Sequence, residues 1–213
     1  MPARTKRGRL ITLEGGEGAG KSTIARWIKA WLEQQGRKVV LTREPGGSPQ
    51  AEVIRELILR AAPEGQPPMS AQTELLLMFA ARAAHLRDLI LPALAAGTDV
   101  VCDRFVDSSY AYQGAGKGVP AAQLAALERM VLGKLKPDLT LIFDLSPEKG
   151  LARARSRGEQ NRFEDETLAF MKKVRSAFLK RARAAPGRYA VVDAAQPVEK
   201  VQAKLAKILG ERL

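Results

Sequence analysis

The chain has 213 residues, 46% of them apolar, and a formal charge of +12 from 35 lysines and arginines set against 23 acids. That length supports one generous domain or two small ones with a sizeable core, and the single cysteine, Cys102, excludes an intramolecular disulfide and fits a reducing cytoplasm, where its plain role is that of a small buried hydrophobe. No segment reaches membrane-spanning length and the basic start MPARTKRGR lacks an apolar run or cleavage site, so the expectation is a soluble, cytoplasmic protein with a disordered basic tail over residues 1–8 and polyanionic partners.

In chain order, short apolar or β-branched runs occur at LITLE (10–14), KVVLT (38–42), DVVCD (99–103), LTLIFDL (139–145) and YAVVDA (189–194). Between them lie segments with apolar residues at helical spacing, including AEVIRELIL (51–59) and TELLLMFAARAAHLRDLI (73–90). Strands alternating with helices imply a parallel sheet covered on both faces, and runs that are apolar throughout match burial on two sides. Gly36 ends the first helix, while Pro137 and Asp138 precede the fourth strand. No repeat or low-complexity linker interrupts the chain, so residues 9–213 are expected to form one α/β domain. Ligands of such sheets bind beyond the carboxyl ends of the strands. There the sequence places the glycine loop, REPGG, Asp103 with RF, and SPEKG.

Gly15 to Ser22, GGEGAGKS, fits G-x-x-x-x-G-K-[ST] between a strand and a helix. Glycines let backbone N–H groups turn inward around a phosphate, Lys21 reaches the β- and γ-phosphates, Ser22 offers its hydroxyl to Mg²⁺, and the helix start faces the anion. The expected ATP-binding residues are therefore Gly15, Gly16, Glu17, Gly18, Ala19, Gly20, Lys21, Ser22 and Thr23. Motor ATPases, switch GTPases and small-molecule kinases share this loop, and the absence of N-K-x-D weighs against a GTPase. Asp103 and Arg104 follow a strand end, where the carboxylate suits a Mg²⁺ shell and the guanidinium a phosphate, although a local surface ion pair is the plainer reading of that dipeptide alone. The remaining cations divide between the tail and a late stretch around RARSRGEQNR (153–162); solvated helix faces account for most of the second group.

Taken together, EGGEGAGKST, TREPGG, DRF, DSSYAYQG and RGEQNRFE, in this order, resemble the thymidylate kinase family from Leu10 to about Pro197, with PDLTLIFDL and VVDAAQP also matching. The resemblance implies a P-loop nucleoside monophosphate kinase fold: a five-stranded parallel sheet flanked by helices, with a small lid at about 154–164. It implies transfer of the γ-phosphoryl group of ATP to dTMP, giving dTDP and ADP for dTTP biosynthesis, with Mg²⁺ held near Ser22 and Asp103. An acceptor phosphate is already an ionised nucleophile, so alignment and neutralisation suffice and no histidine base is needed; His85 then reads as a helix-surface residue.

By the same resemblance Arg104 clamps the acceptor phosphate, Arg55 approaches it, and Glu44 and Gly46 line the pocket; pairing of Arg55 with Glu52 or Glu56 along its helix is the alternative. Arg82 is expected at thymine O4, Ser109 and Gln113 at the same base edge, and Tyr112 against the sugar 2′ position. The position of the usual stacking aromatic holds Met78, with Phe79 next to it, and either one stacks on thymine or Phe79 belongs to the helix core. Glu17 is expected to turn from the phosphates toward Arg104 and the sugar 3′-hydroxyl, or else to be a solvated loop charge. Some relatives carry an arginine where this chain has Gly18, and others supply lid arginines instead. This chain is of the second type, with Arg155, Arg157 and Arg162 as catalytic candidates beside Glu17, Lys21, Asp103 and Arg104. Adenine is expected between the lid region and Asp193 to Pro197. The family's homodimers imply that the helix from Thr73 packs against a second copy, or else fills its own core. Rival readings are a kinase for dUMP, dCMP or dGMP, and a P-loop protein gripping nucleic acid. The basic residues concentrate beside mononucleotide loops without an aromatic stacking platform, so neither nucleic acid nor membrane is expected as a partner.

Overall fold

A computed structural model describes residues 7–60, 62, 65–155 and 167–213, with the backbone alone at 154 and 155. The chain runs β1 (Leu10–Gly15), α1 (Lys21–Gln34), β2 (Val39–Arg43), α2 (Pro49–Leu59), α3 (Ala71–His85), a wide π-helical turn (Leu86–Ile90), α4 (Leu91–Ala95), β3 (Asp99–Asp103) and α5 (Val106–Ser109). A second π-helical stretch (Tyr110–Gly116), α6 (Ala121–Leu132), β4 (Leu139–Asp144), α7 (Pro147–Arg155), α8 (Leu168–Ala184), β5 (Tyr189–Asp193) and α9 (Val198–Arg212) follow. All strand pairings are parallel, in the order β2-β3-β1-β4-β5. Each of the five expected runs becomes a strand, and the sheet has the doubly covered form their composition required.

Side-chain alternation explains the double cover. Ile11, Leu13, Val101 and Leu141 share one core with Ile24, Ile28 and Leu32 of α1 and Leu205 and Leu209 of α9. Leu10, Val100 and Cys102 face the other side, against Leu75, Phe79, Leu86 and Phe105. Each fully buried aliphatic or aromatic side chain contributes about 1.5–3 kcal/mol of transfer free energy, so these two layers hold the frame. The two edge strands, β2 and β5, carry exposed residues, whereas the three central strands are buried but for the last residue of β3 and of β4.

Register then fixes the working rim. Leu13 pairs with both Asp103 and Leu141, and Arg43 pairs with Asp103, so the ends of β1, β2 and β3 align and their following loops meet. Residues 7 and 8 of the expected tail are held in place, Gly8 N donating to Leu94 O at 2.9 Å and Arg7 reaching Asp138 at 3.4 Å, while residues 1–6 lie outside the described residues. Among the described residues no helix is long and apolar enough to cross a membrane.

Candidate active site

The phosphate loop joins β1 to α1 and wraps the amino end of that helix. Lys21 folds back so that Nζ donates to Gly15 O at 3.1 Å and Gly16 O at 2.9 Å. Burial lowers its pKa, the nearby Arg104 charge lowers it further, and Glu17 and Asp103 oppose both. An ammonium desolvated in this way gains by exchanging two carbonyl dipoles for phosphate oxygens. Ser22 Oγ donates to Asp103 Oδ2 at 2.7 Å, which brings together the two oxygen ligands expected for Mg²⁺. Among the described residues no group of three or more His, Cys, Asp or Glu is placed to hold a metal by itself. A hydroxyl and one carboxylate suit Mg²⁺, which takes few protein ligands and completes its shell from phosphate and water.

Gly18 accounts for the missing loop arginine. Its φ is +69°, and a Cβ there would stand 2.1 Å from Gly150 O of α7. The loop backbone thus seats on the backbone of α7, and position 18 has no room for a side chain.

Arg104 sits where the three loops converge. It has a φ of +69°, a left-handed conformation unfavourable for a residue with a Cβ. Its neighbours hold it there: Arg104 N donates to Leu13 O at 2.8 Å, and Phe105 N donates to Glu14 Oε1 at 2.8 Å. The guanidinium donates to Gly15 O at 3.1 Å, Ser108 Oγ at 3.3 Å and Glu17 Oε1 at 2.6 Å. It lies 5.0 Å from the centre of the Tyr112 ring, whose hydroxyl donates to Glu17 at 3.3 Å. Burial works against the Arg104 charge, but Glu17, Tyr112, Asp103 and Glu14 outweigh it and raise the pKa. Burial likewise raises that of Tyr112. Glu17 therefore turns from the phosphate loop to Arg104, as its sign requires. Arg55 donates to Pro45 O at 2.8 Å and lines the cleft instead of pairing along α2; Glu52 is taken by Arg43 and by Gly47 N.

Glu14 was missed by the sequence reading. It is fully buried and accepts from Phe105 N, Ser108 N and Ser108 Oγ, the last at 2.6 Å. Burial, then the Asp107 charge, push its pKa up to about 8. Its signal in the sequence was an acid closing an otherwise apolar strand.

The opposite end of the cleft is a buried polar chain. Arg82 Nε donates to Glu44 at 2.7 Å, and its terminal nitrogens donate to Ser109 Oγ and Phe105 O, each at 3.2 Å. His85 is fully buried, not on the helix surface as expected. Its Nδ1 lies 3.2 Å from Glu44 and its Nε2 2.7 Å from Thr42 Oγ1. A carboxylate only accepts, so Nδ1 carries the proton and the imidazole braces the acid that orients Arg82. Gln113 Nε2 donates to the buried Glu74 at 2.8 Å, and Lys117 pairs with the same carboxylate at 2.9 Å.

One cleft of about 220 Å³ joins these parts, lined by Glu17 to Ser22, Glu44, Arg55, Met78, Arg82, Asp103, Arg104, Ser109, Tyr112 and Gln113. Phe79 does not line it: it is 2% exposed in the core, with the Arg82 guanidinium 4.7 Å from its ring centre. Helical geometry turns position 78 to the cleft and puts position 79 beneath Arg82, which corrects the expectation of Phe79 at the base. Thr23 is exposed on the first turn of α1, and Gly15 and Gly16 line a neighbouring crevice with Gly46 absent from both. Arg153 donates to Ala194 O at 3.1 Å, bringing α7 to the Asp193–Pro197 loop, where Gln196 and Ala195 N–H groups lower the pKa of Asp193. The Arg155 side chain, Arg157, Arg162 and nearly all of the expected lid lie outside the described residues.

The chain is similar to known proteins of one family. The sequence model of a family described as Thymidylate kinase matches residues 13–205. Thymidylate kinase of Pseudomonas syringae pv. tomato is 58% identical over 206 residues, covering 97% of each chain. That of Pseudomonas putida strain W619 is 57% identical over 93% of this chain and 95% of its own. The crystal structure of thymidylate kinase from Ehrlichia chaffeensis superposes with a TM-score of 0.78 at 30% identity, covering 95% of this chain and 99% of that one.

Proposed function

The chain belongs to the thymidylate kinase family, and we propose that its cleft transfers the γ-phosphoryl group of ATP to dTMP, giving dTDP and ADP. One observation carries the reading: a single cavity runs from Lys21 and Ser22 past Arg104 to the buried Arg82, Ser109 and Gln113, so a triphosphate and a nucleobase fit at its two ends with a guanidinium between them.

Each residue's role follows from its contacts. Lys21 leaves the Gly15 and Gly16 carbonyls for the β- and γ-phosphate oxygens, and the α1 amino end receives the same anion. Arg104 and Arg55 hold the acceptor phosphate, whose ionised oxygen attacks in line without a general base. Glu17 accepts from the sugar 3′-hydroxyl while keeping Arg104 aimed, and Tyr112 closes the space at the 2′ carbon. At the base Arg82 donates to O4, Ser109 and Gln113 complete the edge, and Met78 supplies a polarizable platform. Ser22 and Asp103 hold Mg²⁺, which when bound neutralises phosphate charge. Lid arginines Arg155, Arg157 and Arg162 reach the transferred group and exclude water.

The enzyme works in the cytoplasm as a homodimer. Val53 and Leu57 on α2, Leu76 on α3 and Met130 on α6 stand exposed on helices that pack on one another, which supports a face between copies. Light scattering gives the mass of that species. The test of function is a panel of dTMP, dUMP, dCMP and dGMP with ATP and Mg²⁺, scored by ADP release. dTMP is turned over best and dUMP more weakly, since one methyl contact is worth about 1–3 kcal/mol. A preference for dCMP or dGMP, or ADP release without an acceptor, overturns the reading.

A further inference from the structure

Glu74 has no place in the chemistry above, yet it is an acid with no exposed surface, standing on the first turn of α3 behind the cleft wall. Its two oxygens are engaged by different residues: Oε1 accepts from Gln113 Nε2 at 2.8 Å, and Oε2 from Lys117 Nζ at 2.9 Å. Both donors come from the π-helical stretch after α5 and the residue that caps it. Gln113 itself is 1% exposed and lines the cleft.

We propose that Glu74 is a positioning residue for base selection: it fixes which end of the Gln113 amide faces the base, and thereby makes the cleft choose pyrimidines that carry a proton on N3 over cytosine. This rests on the reading of dTMP as acceptor. A carboxylate paired with an ammonium offers only lone pairs, so the atom of Gln113 turned to it must be the NH₂ nitrogen. The amide oxygen then faces the other way, into the cleft, as an acceptor. A flipped amide would set oxygen against carboxylate and lose a charge-assisted hydrogen bond, which disfavours that orientation roughly 10- to 100-fold.

The Arg82 guanidinium, which only donates, lines the same cleft and contacts Ser109, one helical turn before Gln113. The pair presents donor then acceptor, matching O4 and N3–H of thymine or uracil. Cytosine presents an amino group to the guanidinium and an N3 lone pair to the amide oxygen, so both contacts repel. Sites built on such buried pairs discriminate far more strongly than methyl contacts do.

The test compares dTMP with 5-methyl-dCMP, which keeps the methyl group and changes only this edge. In Glu74→Gln the residue at 74 can donate or accept, so Gln113 turns freely. The kcat/KM ratio of dTMP to 5-methyl-dCMP should fall at least about 10-fold, with the loss for dTMP mainly in KM. An unmoved ratio overturns the inference, because a merely structural role for Glu74 would lower both substrates together. A measurement on the unaltered chain stands beside it: N3-methyl-dTMP, which keeps both carbonyls and has no N3–H, should bind at least about 10-fold more weakly, and binding within about 3-fold of dTMP overturns the inference whatever the fate of the variant. Absence of any dTMP turnover by the unaltered chain overturns the substrate reading and this inference with it; dTMP turnover with an unmoved ratio overturns this inference alone.

Discussion

Gly18→Ala isolates the contact between the phosphate loop and α7, and Gly20→Ala provides the matching control. Both glycines have left-handed backbones, with φ of +69° and +79°. Adding a Cβ in that region costs about 1–2 kcal/mol at either site, and the stiffening of the unfolded chain is the same for both. They differ in surroundings: the new Cβ meets Gly150 O at 2.1 Å at position 18 and nothing within 4 Å at position 20. Reaching even 3.0 Å, the shortest separation real Cβ atoms show, needs a shift of 0.9 Å (3.0 minus 2.1) between two stretches of backbone that have no side chain to rotate away. Overpacking of this kind costs about 1–3 kcal/mol. For a chain of this size 1 kcal/mol moves Tm by about 2–4 °C, so Gly18→Ala should melt about 2–12 °C below Gly20→Ala. Differential scanning calorimetry of both variants at one pH and ionic strength measures the gap. Equal melting temperatures would refute the claim that α7 closes the space at position 18, and with it the structural reason for the absence of an arginine there.

Glu17→Gln removes the charge from a part-buried 2.6 Å contact with Arg104 and should lower kcat/KM for dTMP about 10- to 100-fold, read from steady-state rates with dTMP varied. Unchanged turnover and dTMP binding would remove Glu17 from the site. Glu14 makes stability depend on pH. From its ordinary value of 4.5 up to about 8 the folded chain keeps this proton and the unfolded chain releases it, so stability falls as pH rises through that window and levels off above it. Denaturant titrations from pH 5 to 8 should show a steeper fall in the unaltered chain than in Glu14→Gln, and parallel curves would contradict the raised pKa. Arg157→Ala or Arg162→Ala should lower kcat much more than it weakens dTMP binding, and loss of binding with turnover intact would remove the lid arginines from the transfer step.

The strands were legible because burial on both faces leaves continuous apolar runs, and DVVCD begins and ends at the residues where β3 does. The loop GGEGAGKS was legible because its function depends on spacing along the backbone, and Glu17 because an acid among phosphates must turn elsewhere. Arg55 was open between a helix pair and the cleft; only the return of the chain at Pro45 decided it. His85 was misread because an amphipathic stretch does not reveal which of its polar residues meets a partner. Glu44 and Thr42, which bury it, lie on another segment.

Local rules, reaching over one helical turn or one strand, thus determined from the sequence the element types, their order and the loop that receives phosphate. The tertiary structure decided what faces what: Phe79 into the core and Met78 into the cleft, Gly18 against Gly150, Gln113 turned by Glu74. Each of those is a contact across tens of residues, 39 of them between Glu74 and Gln113, and a side chain's partner there is set by the packing of whole elements, which no local pattern encodes.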